Sequence, residues 1–132
     1  MATIRCVVVT PETSVLDETV DFVAIPMFDG ELGVAPGRTP LIGRVGYGEL
    51  RTRTGDSVNR YYIDGGFVEI RDNVVTVLTQ RALFGTDISA DVIANAEAEA
   101  TQPATTDETI EERLGKQARL RAIQKIASRS KG

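Results

Sequence analysis

Turn-forming residues recur in the first 85 positions at intervals that leave room only for short strands. In the stretch DGELGVAPGRTPL, residues 29–41, Asp29-Gly30 is a strong hairpin signal, because glycine supplies positive φ without steric cost. Gly33 reads as a bulge, Pro36-Gly37 as a second turn, and Pro40 as a residue that keeps its successors in the chain out of a central ladder. Further turns fall at Thr54-Gly55-Asp56 and Asp72-Asn73. Between them lie β-rich runs at Ile4-Thr10, Val15-Asp21, Val23-Met27, Glu31-Val34, Leu41-Val45, Glu49-Arg53, Val58-Ile63, Phe67-Arg71 and Val74-Gln80. Strands of this length and spacing predict an antiparallel sandwich or barrel. In the last run Val75, Val77 and Thr79 share one face and Val74, Thr76 and Leu78 the other. The turns hold Glu31 and Arg38 on rigid mounts, which suits a docking surface.

After Gly85 alanine and glutamate replace the β-branched residues, so the chain is read as α+β with a boundary near Thr86. Ser89 is a suitable N-cap, Asp91 lies in the first turn, and Val92, Ala96 and Ala100 form one apolar face, giving a helix over 90–101. Pro103 ends it. Thr105-Thr106-Asp107-Glu108 has the capping-box pattern that opens a second helix with the stripe Ile110, Leu114, Ala118, Ala122, Ile126. The two helices make an antiparallel hairpin. Residues 87–112 hold eight acids and no base, and 113–132 hold seven bases and no acid. Two readings of that division stand: the charges only complement the helix dipole and each other across the hairpin, or the basic end also binds an acidic partner. The stripe is rich in alanine and Gly115 weakens the helix, so docking of the hairpin is expected to be weak.

Other classes lose their tools. A formal charge of −4 and pI near 4.9 argue against a general nucleic-acid binder. Without histidine the usual general base and metal ligand are missing, and Cys6, the one cysteine, reads as a core residue. The start MATIRCVVVTPE has too short an apolar run for a signal peptide, so the protein is expected to stay on the side where it is made.

With TPE at 10–12, LRTRTG at 50–55, the Tyr62-Ile63-Asp64-Gly65-Gly66-Phe67-Val68-Glu69 run and NVVTVL at 73–78, the stretch at 29–41 resembles the epsilon subunit of F-type ATP synthase over roughly residues 4–90. The resemblance implies an N-terminal antiparallel β-sandwich over 1–86, followed by a C-terminal two-helix antiparallel hairpin over 87–132. It implies a non-catalytic central-stalk subunit that couples rotation of the c-ring to the gamma subunit and catalytic head. By position Glu31 and Arg38 match the c-ring contact, although the family often has histidine where Arg38 stands. Arg113, Lys116, Arg119, Arg121 and Lys125 are the matching candidates for an inhibitory contact with the catalytic beta subunit. Some members bind ATP through an Ile-Asp-x-x-Arg-Ala motif. Here Ser89 and Val92 replace the aspartate and arginine, so no ATP or other cofactor is expected. The implied location is peripheral, on the cytoplasmic face of a bacterial inner membrane or the stromal thylakoid face. Two rival classes fit the residues without the resemblance. One is a free-standing sandwich module whose basic tail recruits an acidic partner. The other is a small enzyme using Asp64 and Glu69, acids that turn-making and solvated edge positions also explain.

Overall fold

The computed structural model describes residues 2–101 and 110–130. Its strands are β1 Ile4–Val9, β2 Ser14–Val20, β3 Phe22–Met27, β4 Gly30–Val34, β5 Leu41–Thr54, β6 Ser57–Arg71, β7 Val74–Leu78 and β8 Ala82–Phe84. A single 3-10 turn at Gly85–Asp87 leads to helices α1 Ala90–Thr101 and α2 Ile110–Ser130. The expected Pro103 stop and the cap at Thr105-Thr106-Asp107-Glu108 lie outside the described residues.

Four of the short runs expected from the sequence are two long strands. β5 and β6 pair antiparallel in one unbroken register from Leu41↔Ile70 to Thr54↔Ser57. Both bend at the same level, around Gly46 on β5 and Gly65-Gly66 on β6, where φ is +72° and +113°. One half of the pair continues through β7 and β1 to β2, and the other half through β3 to β4, with β8 on β6. The same two strands therefore serve both layers of the sandwich. Pro40 directly precedes the central strand β5, because a missing N–H affects only its own position and Leu41 pairs normally. β1 and β7 run parallel, in a sheet otherwise antiparallel, because they are not joined by a hairpin. The three-residue β8 is too short to announce itself in the sequence.

The glycines also sit differently from expectation. β3 and β4 pair without a bulge from Val23↔Val34 to Met27↔Gly30, which moves the tight turn to Phe28-Asp29. Gly33 instead makes room, since a Cβ there would lie 3.0 Å from the Phe22 ring. Asp72 and Asn73 both have positive φ, 51° and 62°, as a two-residue hairpin turn between right-twisted strands requires.

Alternation decides what lies inside. Val75, Val77 and Thr79 are buried while Leu78 is exposed, and Tyr61, Ile63, Val68 and Ile70 of β6 point into the same core. Cys6 is fully buried there, and burial pushes its thiol up to about 12. A second, smaller cluster joins Tyr62 and Ile88 to Ala96 of α1 and Ile123, Ile126 and Ala127 of α2. The expected stripe of α2 holds in its second half only. Ile110 and Leu114 are 80% and 56% exposed, whereas Ala122 and Ile126 pack in this cluster beside Ile123 and Ala127. In α1 the expected face holds, with Ala96 and Ala100 buried.

Gly66 is the position with least freedom. A Cβ there would collide with the Leu78 carbonyl, and its φ lies in the glycine region. Gly66→Ala is expected to cost more than about 3 kcal/mol in urea unfolding, from overpacking plus backbone strain. At Gly55, where φ is +59° and nothing lies within 4 Å, the same substitution is expected to cost about 1–2 kcal/mol.

Candidate functional site

Two surfaces carry the candidate residues. The first is the turn end of the sandwich. Glu31 and Arg38 are exposed and line one shallow cleft of about 600 Å³ together with Phe28, Leu41 and Arg44. Arg51 of β5 donates to both Glu31 oxygens, at 3.1 and 3.2 Å, so the carboxylate is fixed in direction before any partner arrives. That pairing, more than any other contact, holds the Arg51 guanidinium pKa above its usual value. The Pro36-Gly37 turn is tied to the neighbouring hairpin, since the Gly37 N–H donates to Asn73 Oδ1 at 2.7 Å. Arg38 makes no ion pair among the described residues.

Beside this cleft the outward face of β5, β6 and β7 carries exposed apolar side chains among charged and polar ones. Register aligns Arg44, Phe67 and Leu78 in one cross-strand row that continues to Val9 of β1. Phe67 is 60% exposed and Ile42, two residues along β5 from Arg44, is 75% exposed. The Arg44 guanidinium lies 5.5 Å from the centre of the exposed Phe28 ring. Isolated apolar side chains on a surface are ordinary, but a row of them across adjacent strands marks a contact face.

The second surface lies between sandwich and hairpin. On the other half of the long pair, Tyr47 stands opposite Asp64, Glu49 opposite Tyr62, and Arg51 opposite Arg60. This ladder is the seat of α2. Arg119 meets Asp64 at 3.2 Å and Glu99 of α1 at 3.3 Å, with its guanidinium 5.3 Å from the Tyr47 ring centre. Burial works against the Arg119 charge, but Asp64, Tyr62 and Tyr47 outweigh it and hold its pKa above the usual value. Tyr62 is fully buried under the hairpin, which pushes its phenol pKa well up, with Asp64 adding to the effect. Glu49 is ringed by Arg60 at 2.8 Å, Arg129 at 3.3 Å and Arg51 at 3.5 Å.

The five expected cations of the hairpin therefore divide. Arg113 donates to the Ala100 carbonyl at 2.9 Å, satisfying the C-terminal end of α1. Lys116 is half-buried and partnered, and Arg119 is engaged as described. Arg121 and Lys125 are exposed, and line a cleft with Glu49 and Arg129. At the start of α1 the Ser89 hydroxyl accepts from the Val92 N–H at 3.3 Å, and Val92 packs against the small cluster. Both motif positions are occupied by the needs of the fold.

Asp64 is not a solvated edge acid, because its side chain is 13% exposed beneath α2. Its role, with those of Tyr47, Glu49 and Tyr62, is not apparent from the sequence. Alternation signals that Tyr62 and Asp64 face opposite to Tyr61 and Ile63, but not what covers them. Glu69 is exposed. Among the described residues no three of Asp, Glu and Cys gather as a metal site, and no helix is long and apolar enough to cross a membrane.

Residues 3–85 match the family model for the β-sandwich domain of the ATP synthase delta/epsilon chain. The chain belongs to the ATP synthase delta/epsilon family. It is 57% identical over 98 residues to the epsilon chain of Rhodopirellula baltica, covering 74% of this chain and 73% of that one. To the epsilon chain of Desulfitobacterium hafniense it is 36% identical over 119 residues, covering 90% of each. In fold it is similar to a chain of the Euglena gracilis mitochondrial ATP synthase, with TM-score 0.71 at 23% identity, covering 98% of this chain and 82% of that one. A chain of the Tetrahymena thermophila mitochondrial ATP synthase matches with TM-score 0.66 at 12% identity, covering 94% and 96%. Membership makes this a non-catalytic stalk subunit of the synthase, as the resemblance implied.

Proposed function

We propose that this chain is the part of the rotor that passes torque between the membrane ring and the catalytic head. The observation that carries the reading is the pairing of a fixed polar cleft with an adjacent apolar row on one rigid sheet. In this arrangement the exposed apolar side chains Phe67, Leu78 and Ile42 seat on the gamma subunit, and the cleft holding Glu31 and Arg38 faces the c-ring. The Tetrahymena relative in fold is described as belonging to a central stalk with its c-ring, which supports the same assignment. The chain is then peripheral to the membrane through the complex, on the cytoplasmic face in a bacterium or the stromal face in a plastid. Residues 1–86 act as the coupling domain and 87–132 as the regulatory one.

The hairpin has a brake as its proposed role, acting through the catalytic beta subunit. Of its cations, Arg121 and Lys125 are presented to a partner as the chain stands, whereas Arg113, Lys116 and Arg119 must first leave their present contacts. ATP is not the controller in this reading, because Ser89 caps α1 and Val92 is apolar.

Two measurements test these assignments. Reversing both charges in Glu31→Lys with Arg38→Glu is expected to lower coupled ATP synthesis several-fold while the complex still assembles. Unchanged synthesis with normal assembly removes these residues from the contact. Isothermal titration of the full chain with ATP up to millimolar concentration is expected to give no binding heat, since the phosphate-binding guanidinium is absent. Saturable heat in that range contradicts the assignment.

A further inference from the structure

We infer that Arg119 is a latch, whose insertion between Asp64 and the Tyr47 ring decides whether α2 stays seated on the sandwich, a task that Arg121 and Lys125 do not share. Position 119 is where α2 changes character. Before it, Ile110 and Leu114 are largely exposed, and after it Ile123, Ile126 and Ala127 are buried. Arg119 lies at that change and carries an ion pair from α2 to β6, so opening of the hairpin must break it.

The contact takes charge out of water. Asp64 Oδ1, Arg119 Nε and the Tyr62 hydroxyl are all buried without an aligned hydrogen bond among the described residues, so the 3.2 Å charge contact is what offsets the burial of Asp64. Without the guanidinium, Asp64 is left under the hairpin with no cation beside it, and only the open arrangement rehydrates it. Removing both charges leaves nothing to rehydrate. The other link of α2 behaves differently. If Arg129 withdraws, Glu49 keeps Arg60 at 2.8 Å and Arg51 at 3.5 Å, so its charge stays neutralised in either arrangement. Arg121 and Lys125 make no ion pair among the described residues and oppose no opening. The latch does not depend on what the hairpin meets once it opens.

Hydrogen exchange on the full chain tests the latch. A hairpin lifted off its seat exposes a helix that is marginal alone, so amides 120–127 report opening, while 75–77 in the sandwich core report its integrity. Arg119→Met is expected to speed exchange at 120–127 by about tenfold or more, the range for a pair between fully exposed and fully buried. Asp64→Asn is expected to act in the same direction. The double variant should exchange more slowly than the product of the two single effects, which is the signature of a direct coupling. Arg121→Met with Lys125→Met should change the rate by less than about threefold, as exposed charges do. Equal effects of the two sets of substitutions, or single effects that simply multiply, overturn the latch. Should Arg119→Met also loosen 75–77, the double variant decides. Recovered protection at both segments supports the pairing, and persistent loss at both overturns it.

Discussion

The unbroken register between β5 and β6 is the constraint on which the other features depend. Because Val45↔Gly66 and Tyr47↔Asp64 belong to one ladder, a bend at Gly46 and Gly65-Gly66 turns the pair without shifting it. Side chains before the bend, Ile42, Arg44 and Phe67, face outward beside the turn cleft. Those beyond it, Tyr47, Glu49, Tyr62 and Asp64, face the hairpin. A slip of one residue would exchange the inner and outer faces throughout, burying Arg44 and Asp64 and exposing Val45 and Ile63. One pairing therefore positions both candidate surfaces.

The two halves of the molecule are held by different physics. The sandwich buries a continuous aliphatic core, in which each fully buried Val, Leu or Ile side chain contributes about 1.5–3 kcal/mol. The hairpin rests on a smaller cluster of Tyr62, Ile88, Ala96, Ile123, Ile126 and Ala127, with charge pairs around it. The chain Glu31, Arg51, Glu49, Arg129 links the turn cleft to the far end of α2 through successive ion pairs. Each of these pairs is partly exposed, so together they set orientation more than stability.

Much of the fold was legible because its turns use residues with strong local preferences. Asp72-Asn73 adopts the positive φ values that its composition suggested, Ser89 caps α1, and alternation in β7 separates Val75 and Val77 from Leu78. What was not legible depended on distant partners. Runs that look separate in the sequence are continuous in β5 and β6, since glycine permits a bend as readily as a break. Gly33 is explained by the Phe22 ring and not by a bulge. Of the α2 stripe, Ala122 and Ile126 pack on the cluster at Tyr62 while Ile110 and Leu114 stay exposed, because a row of apolar residues shows where a helix could pack and its partner determines where it does. The turns that carry Glu31 and Arg38 were readable in the sequence, but Arg51 as the group that aims Glu31 was not, because β5 and β4 meet only through β3.

The central claim is that the bent β framework couples and the hairpin only regulates, so the two functions separate at residue 86. Deleting 87–132 and measuring both ATP hydrolysis and proton-driven ATP synthesis in the assembled complex tests this most directly. The account predicts normal assembly, retained coupled synthesis and faster hydrolysis. Loss of coupled synthesis with hydrolysis unchanged would contradict it.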